Sequence, residues 1–355
     1  SKRIFGIYLL KKGKANMKYQ NKKEKHAWKW ILLLAALLLT FLVSLFLGRY
    51  LISPVRVIQI LGNALTGKIS GGIEESVVLN IRLPRLLLTI LVGAGMAASG
   101  AAFQGIFQNP LVSPDVLGVS SGAAFGAVIG IMISGTGPLA MALSMIAGIG
   151  SVALTYVFSK VKGQSTTLSL ILAGMIVQAL MNALVSLVKY TADPYSKLPQ
   201  ITYWLMGSFA SASYKDVALI VVPIGASLLI LFLLRWRMNI LSLGDEEAAA
   251  LGVNPGKLRI IIIAASTLIS ASSVMIAGMV GWVGLVIPHV TRMMFGVDHQ
   301  ELIPASMING AIYLTLIDLI ARSATEAEIP IGILTALVGA PFFAVLFKKT
   351  GGANG

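Results

Sequence analysis

Apolar residues in this chain are gathered into long runs separated by short polar stretches. Ten of these runs approach or exceed the length that crosses a bilayer, which is about 20 apolar residues. The pattern therefore predicts an all-α integral membrane protein with ten transmembrane helices. Pro288 interrupts the shortest run, which predicts a broken or tilted helix there. The runs cover residues 31–49, 86–107, 115–134, 138–158, 166–188, 215–234, 260–279, 282–295, 303–322 and 330–347.

Composition supports the membrane assignment and limits the chemistry. Of the 355 residues, 56% are hydrophobic and 12% are charged, whereas charged residues make up about 25% of soluble domains. The chain contains no cysteine, which excludes disulfides, thiolate nucleophiles and thiolate metal sites. Residues 55–66 are too short and too polar to span a membrane, and they predict an amphipathic helix lying on its outer face.

The net charge of +14 comes from basic residues at the ends of apolar runs, so it does not indicate nucleic-acid binding. Ten of these residues lie in the first 29, which predicts a cytoplasmic N-terminal tail. With ten spans, both termini would face the cytoplasm. The predicted organisation is a tail at 1–29, with 1–16 upstream of a true start at Met17, a ten-helix transmembrane domain at 30–348 and a tail at 349–355.

Residues 82–127 hold the densest set of features. Arg82 and Arg85 precede an apolar run that is rich in glycine, alanine and serine, and such small residues let helices approach closely in a membrane. A turn containing Asn109, Pro110 and Pro114 follows. Ser113 is predicted as the N-cap of the next helix, with Pro114 at its first position.

The order of several motifs resembles the permease family of type II ABC importers for iron-siderophores, haem and vitamin B12, the FecCD-like permeases. The resemblance extends over residues 30–348 and excludes only the basic tail. It rests on the 82–127 stretch and on the blocks YWLMGSF at 203–209, SLGDE at 242–246, ALGV at 250–253, GWVGLVIPHVTR at 281–292, DLIAR at 318–322 and EIPIG at 328–332.

This resemblance implies the type II permease fold and a role as the membrane-spanning subunit of an importer in the cytoplasmic membrane. Its implied partners are a second permease copy or a paralogue, two ATPase subunits and one extracytoplasmic substrate-binding protein. ATP and Mg²⁺ would bind the ATPase, because this chain has no GxxxxGK[ST] motif. The chain is therefore not expected to be an enzyme or to bind a cofactor.

Residues 235–259 form the longest polar connection on the predicted cytoplasmic side. Acidic residues at 245–247 suit the N-terminal end of a short helix, and Gly252 suits its C-terminal left-handed position. An ordinary connector is the alternative, but the resemblance implies a coupling helix that docks on the ATPase. The implied coupling residues are Leu243, Gly244, Asp245, Glu246, Ala250, Leu251, Gly252 and Val253.

Arg82, Arg85 and Arg322 fall at the predicted outer ends of spans. The resemblance implies that they dock the binding protein through its carboxylates. The alternatives are snorkelling to lipid headgroups and, for Arg322, an ion pair with Asp318 one turn away. Asp318 is the only acid deep in a span. Such residues are functional candidates by default, although here the neighbouring arginine offers a structural explanation.

The resemblance also implies a translocation path between two permease copies. Its inner gate would be formed by Asn109 and Leu111 in one turn and by Thr167 and Leu168 in another, with plain turn packing as the alternative. His289 and His299 are expected to pack at helix ends, since the sequence has no HExxH motif and no cysteine. No metal site and no catalytic residue are predicted.

Two other classes compete with this interpretation. A secondary transporter would need buried carboxylates near the membrane midplane, and an intramembrane enzyme would need a nucleophile–base pair within its spans. The sequence offers almost no buried carboxylates near the midplane and no nucleophile–base pair within its spans. Among substrates, a ferric siderophore is the first expectation, with haem, cobalamin and oxyanions such as molybdate as alternatives.

Overall fold

The computed structural model describes residues 27–68, 71–161 and 164–351. The predictions for residues 1–26 and 352–355 lie outside these ranges. Within them, the chain folds into helices joined by short turns and one short antiparallel hairpin, Lys160–Val161 with Gln164–Ser165. The helices are α1 Ala27–Phe46, α2 Pro54–Leu65, α3 Ile73–Ile106, α4 Val119–Ser134, α5 Pro138–Ser159, α6 Thr167–Thr191, α7 Lys197–Met206, α8 Tyr214–Leu241, α9 Asp245–Ala250, α10 Pro255–Ala277, α11 Val283–Phe295, α12 His299–Ser323 and α13 Ile331–Gly351.

The all-α membrane fold is confirmed. Seven helices of the described chain (α1, α3, α5, α6, α8, α10 and α12) are long and apolar enough to cross a bilayer. Shorter apolar helices, α4, α11 and α13, coincide with the remaining three predicted runs. The figure of ten crossings itself stays a prediction. The helix predicted at 55–66 is present as α2, and its position on the outer face stays a prediction.

Helix α3 forms the centre of the bundle and is buried along almost its whole length from Pro84 to Ile106. Its small residues let other helices approach to backbone contact, as the sequence predicts. A Cβ on Gly100 would lie 1.9 Å from the carbonyl oxygen of Gly284 in α11, and one on Gly93 would lie 2.3 Å from that of Gly310 in α12. Neither glycine has room for a methyl group.

The predicted start of this helix, residue 86, is wrong. The helix begins at Ile73 and passes through a π-helical segment, Val77–Arg82, before Pro84. Proline has no N–H, and its ring clashes with the carbonyl four residues earlier. The wider π turn bonds the Leu83 N–H to Val78, which lets the helix continue past this proline.

The predicted cap at Ser113 is also wrong. Pro114 does follow Ser113 at a first helical position, but of a 3₁₀ turn, Pro114–Leu117, and the Ser113 side chain makes no capping bond. Gly118, with φ of +84°, then ends the turn, so α4 starts at Val119 rather than at 115. The left-handed backbone of Gly118 separates the two helical segments.

The bundle has two distinct ends. We call the end formed by residues 108–113, 242–254 and 296–298 the knob end, and the end that carries Arg82, Arg85 and Arg322 the arginine end. Helices α1, α6 and α8 lie at the periphery, with only about a quarter of each apolar stretch buried. Their exposed faces are available for lipid or for other subunits.

Candidate functional sites

Residues 242–254 form a compact knob around helix α9. Its first turn contains Asp245, Glu246 and Glu247, which suit the positive end of the helix dipole. At its other end Val253 N–H bonds to the Ala248 carbonyl (2.9 Å) and Gly252 N–H to the Ala249 carbonyl (3.0 Å). This pair of bonds is a Schellman motif. Gly252 has φ of +80°, so the predicted left-handed position is confirmed.

The knob is fixed to the bundle yet presents apolar side chains outward. Asp245 pairs with Arg259 of α10 at 3.0 Å, which holds the start of α9 against the next helix. Leu243 and Leu251 flank α9 and are 63% and 60% exposed. Leu243 and Leu251 are the large apolar side chains that the knob exposes.

A cleft of about 570 Å³ opens beside the knob. It is bordered by the last turn of α3, the end of α8 and the connection from α11 to α12, and its lining includes Asn109 and Leu243. At its wall the Asn239 carboxamide oxygen accepts bonds from the backbone N–H (2.8 Å) and ring Nδ1 (2.9 Å) of His299. The cleft therefore borders both the first predicted gate turn and the knob.

The four predicted gate residues lie in two turns. Asn109 is half-buried, and its side-chain oxygen accepts the Leu111 N–H at 2.9 Å. The Leu111 side chain is 53% exposed. Thr167 and Leu168 begin α6, and Leu168 is 66% exposed. Within the described ranges no hydrogen bond joins the two turns. Their contribution to a gate stays a prediction.

Helix α6 carries an unusual exposed face. Leu168, Met175, Asn182 and Ser186 are exposed at successive spacings of seven, seven and four residues, which places them along one line. The Ser186 hydroxyl donates to the Asn182 carbonyl at 2.9 Å, whereas the Asn182 carboxamide has no bond within the described chain. We call this line the α6 polar stripe. Beside it lies an apolar exposed face formed by Ile176, Leu180 and Leu187.

The three arginines at the arginine end are not surface residues. Arg82, Arg85 and Arg322 are 4%, 5% and 8% exposed. Docking of a soluble protein to these side chains requires exposed guanidinium groups, and this chain does not present them. The sequence position at helix ends suggested exposure, but other segments cover all three. This burial does not support direct docking through Arg82, Arg85 and Arg322, and their part in docking the binding protein stays a prediction.

Arg85 instead lies at the centre of a buried ion cluster. Its guanidinium is 2.8 Å from the Asp318 carboxylate in α12 and forms two parallel hydrogen bonds to Glu328, at 3.0 and 2.9 Å. Arg322 Nε lies 3.6 Å from the other Asp318 oxygen, so the predicted pair within α12 is confirmed. The cluster joins α3, α12 and the connection to α13.

Arg82 and Arg322 also hold the last turn of α1. Arg82 Nη1 donates to the Leu45 carbonyl at 2.6 Å and to the Phe46 carbonyl at 3.1 Å, and Nη2 donates to Tyr50. Arg322 Nη2 donates to the Ser44 hydroxyl at 2.9 Å and to its carbonyl. A cation at a helix C-terminus satisfies free carbonyls and the dipole together. Both arginines thus cap a helix that otherwise has few buried contacts.

The sequence reading missed several of these partners. Glu328 enters the sequence prediction only as part of a motif, and Ser44 has no predicted role. The acidic residue Glu328, which follows a span, could have suggested a partner for Arg85. No feature of the neighbouring sequence identifies Ser44 as a partner. Among the described residues no group of three histidine or acidic side chains could hold a metal.

Comparison with known proteins places this architecture in a family. Residues 36–349 match the model of the FecCD transport family. The molybdate import system permease MolB of Haemophilus influenzae is 45% identical over 90% of this chain and 95% of its own length. A probable iron chelatin transport system permease of Helicobacter pylori is 41% identical, over 78% of this chain and 83% of its own.

A solved structure agrees with these sequences. A chain described as a metal-chelate type ABC transporter in an inward-facing conformation superposes with a TM-score of 0.78 at 43% identity, covering 89% of this chain and 97% of its own. The match extends over nearly the whole described bundle. The chain therefore belongs to the FecCD transport family and is a multi-pass membrane permease of the ABC importer type.

Proposed function

We propose that this chain forms, with a second copy of itself, the translocation path of an ABC importer for an iron-siderophore or a related metal chelate. Two separate ATPase subunits drive the importer and an external binding protein delivers the substrate. The observation that carries this proposal is the α6 polar stripe.

The Asn182 side chain is the part of the stripe that is inconsistent with a face turned to lipid. Asn182 lies near the middle of a 25-residue helix, where hydrocarbon offers no hydrogen-bond partner. Polar side chains at such depth face the bundle interior or a water-filled cavity. Because the stripe is on the outside of this chain, the polar surroundings must come from another subunit or from water between subunits.

A second copy of the chain supplies such surroundings. Two α6 helices facing each other across a two-fold axis would line a path with Met175, Asn182 and Ser186 from each copy. Leu168 lies on the same line at the knob end, which supports its assignment to the inner gate with Thr167. The turn that contains Asn109 and Leu111 would complete that gate.

The knob is proposed as the contact with the ATPase, and its end of the bundle then faces the cytoplasm. Its exposed Leu243 and Leu251 would enter an apolar groove on the ATPase, while the Asp245–Arg259 pair fixes the angle at which α9 is presented. Movement of the ATPase subunits would then act on the ends of α8 and α10. Hydrolysis of ATP belongs to the partner in this arrangement.

The proposal also includes the class of substrate. Relatives with iron chelatin and metal-chelate names favour a chelated metal ion as cargo. A molybdate-type oxyanion is the second candidate, because the permease at 45% identity carries a molybdate name. The stripe is uncharged from Leu168 to Ser186, which is compatible with a large chelate.

Uptake into proteoliposomes separates the two substrates. The chain is reconstituted with its ATPase, and radioactive ferric siderophore or molybdate is offered together with the binding protein. We expect ATP-dependent accumulation of the ferric siderophore and no hydrolysis by the permease alone. Accumulation of molybdate only would overturn the substrate class, and hydrolysis by the purified permease would overturn the assignment as a passive subunit.

Because the chain contains no cysteine, single cysteines test the path directly. Asn182→Cys and Ser186→Cys are expected to react with a membrane-impermeant thiol reagent in the assembled importer. Leu180→Cys and Leu187→Cys, on the apolar side of the same helix, serve as matched controls and are expected to stay unreacted. Equal reactivity of both pairs would remove the stripe from the path.

A further inference from the structure

Gln108 has a backbone conformation that is costly for its residue type. Its φ is +48°, and among the described residues only Trp282 shares a positive φ without being glycine. Long side chains rarely occupy this left-handed region, and residues that do so are often functional. Gln108 lies two residues after the end of α3, directly before the gate residue Asn109. It occupies the left-handed position of a Schellman motif, in which its N–H bonds to the Gly105 carbonyl and the Asn109 N–H to the Gln104 carbonyl, both at 3.2 Å.

The Gln108 side chain contacts the end of α8, the helix that precedes the knob. Its Nε2 donates to the carbonyl oxygen of Leu241, the last residue of α8, at 3.3 Å. The same oxygen accepts the backbone N–H of Gly244 at 3.3 Å, which closes the first turn of the knob. The Leu241 carbonyl thus accepts one hydrogen bond from Gln108, beside the gate turn, and one from Gly244, in the knob.

The neighbouring side chains on this face are bound elsewhere. Gln104, one turn earlier in α3, donates to the Leu285 carbonyl and accepts from Arg292, both in α11. Asn239, in the last turn of α8, is bound to Asp298 and His299 at the start of α12. Among the described residues, Gln108 therefore makes the one side-chain hydrogen bond between the gate turn and the end of α8.

The surroundings leave room for this link to move. Gln108, Asn109, Ser242 and Leu243 all border the cleft of about 570 Å³ at the knob end. Close-packed interiors transmit displacement between rigid elements, whereas a cavity allows a loop to change position. The gate turn therefore borders the cleft and is joined to the end of α8 by the Gln108–Leu241 bond.

We infer that Gln108 is the positioning residue that transmits movement of the knob to the gate turn at Asn109 and Leu111. This inference rests on the proposed function, because it assumes that an ATPase moves the knob. The hydrogen bond must have a donor on the Gln108 side, since a carbonyl only accepts. A carboxylate of the same size cannot replace the amide.

The test uses a thiol at the gate and needs no substrate. Leu111→Cys is introduced in the cysteine-free chain, which is then assembled with its ATPase. The rate at which this thiol reacts with a water-soluble maleimide is measured with ATP bound to a hydrolysis-deficient ATPase and again without ATP. The two rates are then compared. We expect a several-fold change in this rate when residue 108 is glutamine.

Two variants then test whether residue 108 must carry a hydrogen-bond donor. Gln108→Glu has the same size and the same backbone strain but no donor, and we expect the ATP-dependent change to disappear. Gln108→Lys keeps a donor of similar reach, and we expect the change to be restored. Gln300→Glu, an exposed residue at the same end, controls for the added negative charge. Equal thermal stability of the Glu and Lys variants excludes a folding defect as the cause.

The outcomes separate the inference from the proposed function. A permease that neither binds nor stimulates an ATPase overturns the proposed function itself. A complex that forms but shows no ATP-dependent change at Leu111→Cys, or a Gln108→Glu variant that keeps the change, overturns the role of Gln108 while the importer assignment stands.

Discussion

Arg85 and Asp318 form a buried ion pair at 2.8 Å between helices α3 and α12, with side chains 6% and 2% exposed. The two residues are 233 positions apart in the chain. Glu328 adds a second carboxylate to the same guanidinium, and Arg322 adds a second cation near Asp318. The arginine end is therefore held by charges that neutralise one another rather than by charges that face solvent.

Removing one member of this cluster leaves an uncompensated buried charge. Breaking such a pair typically costs about 3–5 kcal/mol, so Arg85→Met should lower the unfolding free energy of the purified permease by that order. The measurement is denaturant unfolding in detergent. Arg56→Met, which removes a half-exposed pair with Glu74, is the control and should cost about 0–1 kcal/mol. Equal losses in both variants would contradict the burial of the cluster.

The capping role of Arg82 predicts a local effect on α1. Arg82→Met removes the donors to Leu45, Phe46 and Tyr50, so amide exchange in residues 44–50 should become faster while exchange in the core of α3 stays unchanged. Hydrogen-exchange mass spectrometry reports both regions. Arg49→Met, whose guanidinium donates to Thr325 on the exposed surface, should have a smaller effect. Unchanged exchange in both variants would show that lipid contacts alone hold the end of α1.

Gly252→Val tests the knob through backbone geometry. No heavy atom lies within 4 Å of a Cβ at this position, so the penalty comes only from φ of +80° and amounts to about 1–2 kcal/mol. The variant should insert normally yet assemble poorly with the ATPase or hydrolyse ATP without uptake. Gly256→Val, at a position without positive φ, is the matched control. Full uptake by Gly252→Val at equal expression would contradict the coupling role of the knob.

Gly100→Ala tests the close packing of α3. The added Cβ would lie 1.9 Å from the Gly284 carbonyl, so α11 must move, and overpacking of this kind costs about 1–3 kcal/mol. The midpoint of thermal unfolding in detergent should fall. Gly150→Ala in α5, where a Cβ meets no atom within 4 Å, should leave it nearly unchanged. A similar midpoint for both variants would mean that α3 and α11 pack less closely than described.

The features that the sequence predicted correctly have local causes. Long apolar runs specify membrane helices whatever their neighbours, and an acidic first turn followed by glycine specifies the short helix of the knob. The burial of Arg82, Arg85 and Arg322 could not be read in this way. Whether a charge at the end of a span faces solvent depends on segments far away in the chain, here Ser44, Asp318 and Glu328. The start of α3 at Ile73 could not be read for a related reason, because a π turn at Val77–Arg82 lets the helix continue past Pro84.

The separation between Arg85 and its two carboxylates also affects synthesis of the protein. Residues 318 and 328 leave the ribosome more than 230 positions after Arg85, which at 5–20 residues per second corresponds to a delay on the order of tens of seconds. During this interval the nascent chain holds an arginine near the membrane boundary without its final counter-ions. Helix α3 is therefore synthesised before α11 and α12 exist, and the centre of the bundle is completed only late in synthesis.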